Sequence, residues 1–161
     1  MSVFQSMNTT ASALTAQRLR MDVISSNMAN VDTTRGTYIK GRWDHGTYIK
    51  GYWEPYRRKT VEFQPEGTSS FSSFLNVAMN NGNAGGGVKV SKIEEDKKTP
   101  FKMVYDPEHP DANKDGYVEL PNVDPLREMV DLISATRSYE ANVTVFNASK
   151  SMMMKALELG K

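Results

Sequence analysis

Apolar positions recur at helical spacing at both ends of the chain and at alternating spacing between them. Val3, Met7, Thr10, Leu14, Gln17, Met21, Ile24, Met28 and Val31 follow in steps of four and three, and seven of these nine are apolar. Such steps keep one narrow stripe on a single helix face, as in the seam of a coiled coil. Ser2 with Gln5 three residues on reads as a capping box, and no Gly or Pro interrupts before Gly36. The spacing therefore predicts a helix over 2–35. A second stripe runs through Met129, Leu132, Thr136, Tyr139, Val143, Phe146, Lys150, Met153 and Leu157, again with seven of nine apolar. Asp124 as N-cap, Pro125 at the first helical position and Gly160 as a stop bound it to 125–159, a helix about 50 Å long.

A narrow stripe needs a partner helix to bury it. The two terminal helices can pair with each other, and they can also pack against other copies or other proteins. Between the stripes lie small polar residues such as Ser25-Ser26-Asn27 and Asn142 to Asn147. Freely solvated helices carry Lys and Glu there, so the pattern favours packing between subunits. Arg137 and Glu140, at i and i+3, are placed to pair on one face and to specify register.

The middle is different. Gly36-Thr-Tyr-Ile-Lys-Gly-Arg-Trp-Asp-His45 is followed by Gly46-Thr-Tyr-Ile-Lys-Gly-Tyr-Trp-Glu-Pro55, with seven of ten positions identical. Two copies are too few for a solenoid, and the pattern predicts one β-hairpin over 36–55 turning at Asp44-His45-Gly46. Val61–Phe63, Val88–Ile93, Phe101–Tyr105 and Tyr117–Leu120 read as short strands. Residues 71–79 fit a short amphipathic helix, and 81–87 a flexible Gly/Asn loop. The expected fold is mainly α with a small β-rich middle. Segments 1–35 and 123–161 would form a coiled-coil core, and 36–122 a central domain of short strands and loops.

Composition removes most chemistry. The 161 residues hold 20 Lys and Arg against 19 Asp and Glu, so the whole chain has no electrostatic bias toward nucleic acid or anionic membrane. It has no Cys and two distant histidines, His45 and His109, which leaves little for thiolate, metal or His acid–base chemistry. No run approaches the apolar length of a membrane span. The first ten residues lack the basic start and apolar run of a secretory signal, so any export uses another route. Asp111-Ala-Asn113-Lys-Asp115-Gly116 matches half of an EF-hand loop. Its twelfth position is Asn122 rather than Glu, and prolines flank it, so an Asx turn with Gly116 at positive φ is the better reading. Gly85-Gly86-Gly87 lacks the ending of a phosphate loop and reads as a linker. Glu94-Glu95-Asp96 beside Lys97-Lys98 reads as a solvated turn. No nucleophile–base pair stands out, so no catalytic residue, cofactor or metal is expected.

Residues 38–59 concentrate rings and cations, among them Tyr38, Trp43, Tyr48 and Trp53 with Lys40, Arg42, Arg57 and Arg58. These rings could contact a neighbouring subunit, pack within a plain hairpin, or stack on sugars or bases. An extracytoplasmic module gripping peptidoglycan glycans is the alternative function, and a calcium-stabilised module a third.

The two ends resemble a known family. Leu14-Thr-Ala-Gln-Arg-Leu-Arg-Met-Asp-Val-Ile-Ser-Ser-Asn27-Met-Ala-Asn30-Val-Asp-Thr-Thr34 is similar to the N-terminal signature of flagellar rod and hook axial proteins. Asn122-Val-Asp-Pro-Leu-Arg-Glu-Met-Val-Asp-Leu-Ile-Ser-Ala-Thr-Arg137-Ser-Tyr139-Glu140-Ala-Asn142 is similar to their C-terminal one. Pro55-Tyr-Arg-Arg-Lys59, Val104-Tyr-Asp-Pro107 and Gly116-Tyr-Val118 narrow the likeness to the basal-body rod, as in Gram-positive bacilli. The duplicated unit is longer than that likeness leads one to expect. The resemblance implies a non-enzymatic subunit exported through the flagellar type III apparatus and assembled beyond the cytoplasmic membrane with copies of itself and other rod proteins. There it would transmit torque. On that reading Leu14, Met21, Ile24, Met28, Leu132, Tyr139, Val143 and Phe146 supply burial at the assembly interface. Asn27, Asn30, Arg137, Glu140 and Asn142 supply polar registration.

Overall fold

The computed structural model describes residues 3–44, 47–49, 51–66 and 86–160. Two long helices bracket a region of short antiparallel strands. The order is α1 (Val3–Ala29), β1 (Thr37–Ile39), β2 (Arg42–Asp44), β3 (Thr47–Ile49), β4 (Tyr52–Glu54), β5 (Lys59–Pro65), β6 (Val88–Glu95), β7 (Lys102–Tyr105), β8 (Tyr117–Leu120) and α2 (Pro125–Leu159). The short helix predicted over 71–79 and residues 81–85 of the Gly/Asn loop lie outside the described residues.

Helix α2 has the predicted bounds because its start is encoded locally. The Asp124 carboxylate accepts from Leu126 N at 3.1 Å, and Asp124 O accepts the first helical bond from Glu128 N at 3.0 Å. Helix α1 stops at Ala29, short of the 35 that the absence of Gly and Pro predicted. Its last turn tightens through Asn30 N to Asn27 O and Val31 N to Met28 O, while Asn30 Nδ2 folds back on Ser26 O at 2.8 Å. The helix thus ends in a tightened last turn with neither Gly nor Pro at its boundary. Val31 is therefore not part of the helical stripe.

Strands pair as four two-stranded sheets, β1 with β4, β2 with β3, β5 with β6 and β7 with β8. The first two share one register. Thr37 faces Glu54, Tyr38 faces Trp53, Arg42 faces Ile49 and Trp43 faces Tyr48. The duplicated segment is thus a single antiparallel arm interrupted at Gly41 and Gly51. Its predicted turn at Asp44-His45-Gly46 falls partly outside the described residues. At the base of the arm, Gly36 N donates to Glu54 O and Tyr56 N to Thr33 O. A Cβ on Gly36 would sit 2.6 Å from Tyr56 N, so that close approach requires glycine.

The chain divides into two compact units, each holding part of both helices. The first comprises residues 1–22, 61–93 and 131–161. Within it the helices meet through Arg20 and Asp131 at 3.5 Å and through Thr136 Oγ1 and Met21 Sδ at 3.7 Å. The start of β6 lies on α1, where Val88 N donates to Ser12 Oγ at 3.0 Å. The second unit comprises residues 23–60 and 94–130 and contains the arm and the β7–β8 hairpin.

Burial along the helices follows a stripe displaced from the predicted one. The buried positions of α1 are Thr10, Ala16, Val23, Ile24 and Asn27, and those of α2 are Glu128, Ala135 and Ser149. On α2 small and polar residues occupy the enclosed face, and on α1 they share it with Val23 and Ile24. The larger members of the predicted stripes flank it, half-buried, and Met129 and Leu157 are exposed.

Candidate functional site: a buried polar knot and an exposed apolar helix face

The second unit is organised around Asn27, 1% exposed, and Glu128, 0% exposed. Asn27 stands in the last turns of α1 and Glu128 in the first turn of α2. Asn27 Nδ2 donates to Lys59 O at 2.8 Å and to Glu128 Oε2 at 2.9 Å. Its Oδ1 accepts from Lys59 N at 2.9 Å and from the Tyr56 hydroxyl at 3.0 Å. Every hydrogen-bonding capacity of that amide is used. Because Lys59 presents both a fixed donor and a fixed acceptor, the amide can face only one way. Arg58 Nε donates to the other Glu128 oxygen, which forms an ion pair with Arg58 mostly buried and Glu128 wholly so. Arg58 N donates to Asn122 Oδ1 at 2.8 Å, and Asn122 Nδ2 bonds Asp96 O and Thr99 O. One network therefore joins both helices, the 56–59 segment and the 96–99 turn.

Two further clasps complete this unit. Arg57 bonds Glu54 and lies over the Phe101 ring, 4.3 Å from its centroid. Asp111 accepts from Arg35 and from the Thr34 hydroxyl, and these bonds hold its carboxyl below the usual range. The same bond raises Arg35. Asp111 thus stands as an ion-pair partner in the loop. Asn113 Oδ1 caps it by accepting from Asp115 N and Tyr117 N, and Gly116 takes φ +80°. This is the Asx turn expected of that sequence. Asp96 caps its own turn through Thr99 and Lys98, which lowers its carboxyl as well. Among the described residues, no group of three or more His, Asp or Glu is arranged to hold a metal.

The expected interface residues divide by exposure. Ile24 and Asn27 are buried, while Leu14, Met21, Met28, Asn30, Leu132, Tyr139, Asn142, Val143 and Phe146 are half-buried. Arg137 and Glu140 are exposed and form no ion pair with each other. Of the hairpin rings, Tyr38 and Trp53 are exposed and packed on each other with centroids 5.2 Å apart. The backbones of Trp43 and Tyr48 pair in register, on β2 and β3. Glu128 escaped the sequence reading, and Arg58 entered it only as one of the cations of residues 38–59. The one signal for Glu128 is a charge one position before the expected stripe, close behind a helix start.

Helix α2 also carries large apolar side chains on the side away from its buried face. Leu126, Val130, Ile133 and Leu159 are from 49% to 89% exposed. At about 100° per residue they lie on the far side of the helix from Glu128 and Ala135. Single exposed apolar residues are ordinary, but Leu126, Val130 and Ile133, clustered on one face in the first turns of the helix, mark a contact surface.

A helix-ended subunit with apolar surface outward and a small strand-rich middle is the class of molecule these features define. The family models agree with it. Residues 7–36 match the flagella basal body rod protein family, and residues 114–159 match the C-terminal region of the flagellar basal body rod FlgEFG proteins. The flagellar basal-body rod protein FlgC of Bacillus subtilis (strain 168) is 61% identical over the full length of both chains. FlgC of Borreliella burgdorferi is 47% identical over 99% of this chain and 98% of its own. FlgC of Salmonella typhimurium is 41% identical over 93% and 92%. The chain belongs to the FlgC family of flagellar basal-body rod proteins.

Proposed function

We propose that the chain is a structural subunit of the proximal part of the flagellar rod, exported through the flagellar type III apparatus and polymerised through its terminal helices to transmit torque. The observation that supports this most is that α2 encloses a face of small and polar residues, Glu128, Ala135 and Ser149, and leaves Leu126, Val130, Ile133 and Leu159 outside it. A soluble monomer gains nothing from such a stripe, whereas a polymer buries it against neighbours.

On this reading, segments 1–35 and 123–161 pair as a coiled coil and form the axial core, with 36–122 as the outer domain. The half-buried positions Leu14, Met21, Met28, Leu132, Tyr139, Val143 and Phe146 complete their burial at subunit contacts. Ile24 contributes from the enclosed side. Asn27, Asn30, Arg137, Glu140 and Asn142 set the register, and Tyr38, Trp43, Tyr48 and Trp53 contact an adjoining subunit. Its partners are copies of itself, other rod proteins and the export apparatus. Before assembly the outward residues of α2 have no cover, which keeps the stability of the free chain lower than that of the assembled one. No helix among the described residues is long and apolar enough to cross a membrane.

The test is genetic and biochemical. The gene is deleted, a tagged copy is restored, and basal bodies are isolated. Co-purification of the tagged chain with the rod, and loss of rod and hook in the deletion strain, are the expected results. Normal flagella in the deletion strain would overturn the proposal.

A further inference from the structure

A concave pocket of about 320 Å³ opens on the second unit between the arm and the β7–β8 hairpin. Its walls include Trp53 from β4, Tyr117 and Glu119 from β8, and the Arg35–Asp111 pair. Both rings are substantially exposed, Trp53 at 52% and Tyr117 at 42%. Each is nevertheless braced from behind by a second ring. Tyr38 packs on Trp53 and Tyr105 on Tyr117, with centroids 5.2 Å apart in both pairs. Exposed rings held in this way form a wall that does not have to be ordered on binding.

The charges of the pocket do not cancel. Asp111 is already satisfied by Arg35 and Thr34. Glu119 is exposed and, among the described residues, has no hydrogen-bond or ion-pair partner. One unmatched carboxylate in a pocket lined by two aromatic rings is an environment for a cation, and the planar guanidinium of arginine suits it best. That group stacks on rings and binds a carboxylate in a two-pronged fashion, whereas a lysine ammonium does neither as well.

We infer that this pocket receives an arginine side chain from a neighbouring rod subunit, gripped between Trp53 and Tyr117 and paired with Glu119. The inference rests on the rod reading above, which supplies the neighbour. Charge complementarity names the group that enters. The helix stripe and this pocket are then separate contacts, one apolar and one selective for a cation.

The full chain is expressed in its own bacterium with a photo-reactive phenylalanine analogue replacing Trp53. Basal bodies are isolated and irradiated, and the cross-linked peptide is identified by mass spectrometry. A cross-link to another rod subunit, within a few residues of an arginine, is the expected result. Glu119→Lys and Glu119→Gln, exposed strand substitutions that leave folding intact, are expected to abolish or weaken swimming in that order, while Glu119→Asp preserves it. Incorporation into basal bodies with no cross-link at position 53, or full swimming by Glu119→Lys, would overturn the pocket assignment and leave the rod reading standing. Absence of the unmodified chain from basal bodies would overturn both.

Discussion

Asn27 holds the backbone of Lys59 as an adjoining strand would, donating to its carbonyl at 2.8 Å and accepting from its N–H at 2.9 Å. A side-chain amide has the same donor–acceptor pair as a peptide group, so one Asn on a helix can stand in for a rung of a ladder. Asn27→Ala removes that rung and also strips partners from Tyr56 and Glu128. The expected cost is about 2–4 kcal/mol, from groups left unsatisfied in a buried place. Denaturant unfolding of the purified chain measures it.

Asn27→Asp keeps the shape but reverses the donor. It sets a second carboxylate against Glu128 Oε2, now 2.9 Å from Asn27 Nδ2. A like charge at that distance raises the folded pKa of the pair. The variant is therefore less stable than Asn27→Ala at neutral pH, and the excess is relieved as pH falls through that raised pKa. Equal stability of the two variants at every pH would remove the amide-direction argument.

Breaking the Arg58–Glu128 pair leaves a buried charge alone. Arg58→Met is expected to cost about 3–5 kcal/mol, and Arg58→Met with Glu128→Leu to recover most of it. A double-mutant cycle by thermal unfolding reads the coupling.

Acid weakens the second unit in a defined direction. Asp96 and Asp111 both have folded pKa values below the ordinary carboxylate value of about 3.9. Their contribution is fully present above that value and is lost as pH falls through the lower folded values. Asp111→Asn is expected to flatten the fall in melting temperature below about pH 4. An unchanged acid limb in that variant would show that the Arg35 clasp contributes nothing.

Ile133 and Ala135 separate assembly from folding. Ile133 is 49% exposed, so Ile133→Asp leaves the melting temperature of the monomer nearly unchanged and stops incorporation into basal bodies. Ala135 is fully buried, so Ala135→Leu overpacks that face and costs about 1–3 kcal/mol before any assembly begins.

How far the sequence foretold these features depends on how local their causes are. The bounds of α2 and of β8 were legible because Asp124, Pro125 and the turn at Gly116 act within a few residues. The end of α1 was misplaced because neither Gly nor Pro marks it, and its last turn instead tightens through Asn30 N to Asn27 O and Val31 N to Met28 O. Thr10 and Ile24 lie on the predicted stripe, whereas Ala16, Val23, Asn27, Glu128, Ala135 and Ser149 each lie one position before it, because large apolar residues were taken to mark the inside. The enclosed face instead holds Ala16, Ala135 and Ser149, which leaves the larger side chains to flank it or face outward. The knot was illegible for a different reason. Glu128 meets Arg58 across 70 residues and Asn27 across 101, and no periodicity encodes such a meeting.

The register of the duplicated arm makes its length a quantity that can change in whole steps. The two ten-residue copies pair with each other and set Tyr against Trp, with Tyr38 opposite Trp53 and Trp43 opposite Tyr48. One copy alone, turning at Lys40-Gly41, would set Tyr38 opposite Trp43 and repeat the same pairing in a shorter arm. Removal of a copy withdraws the tip by five residues per strand, about 17 Å, and leaves the base at Gly36 and Glu54 equivalents unaltered. Gain or loss of a repeat can therefore change how far the arm reaches without redesigning the body that carries it.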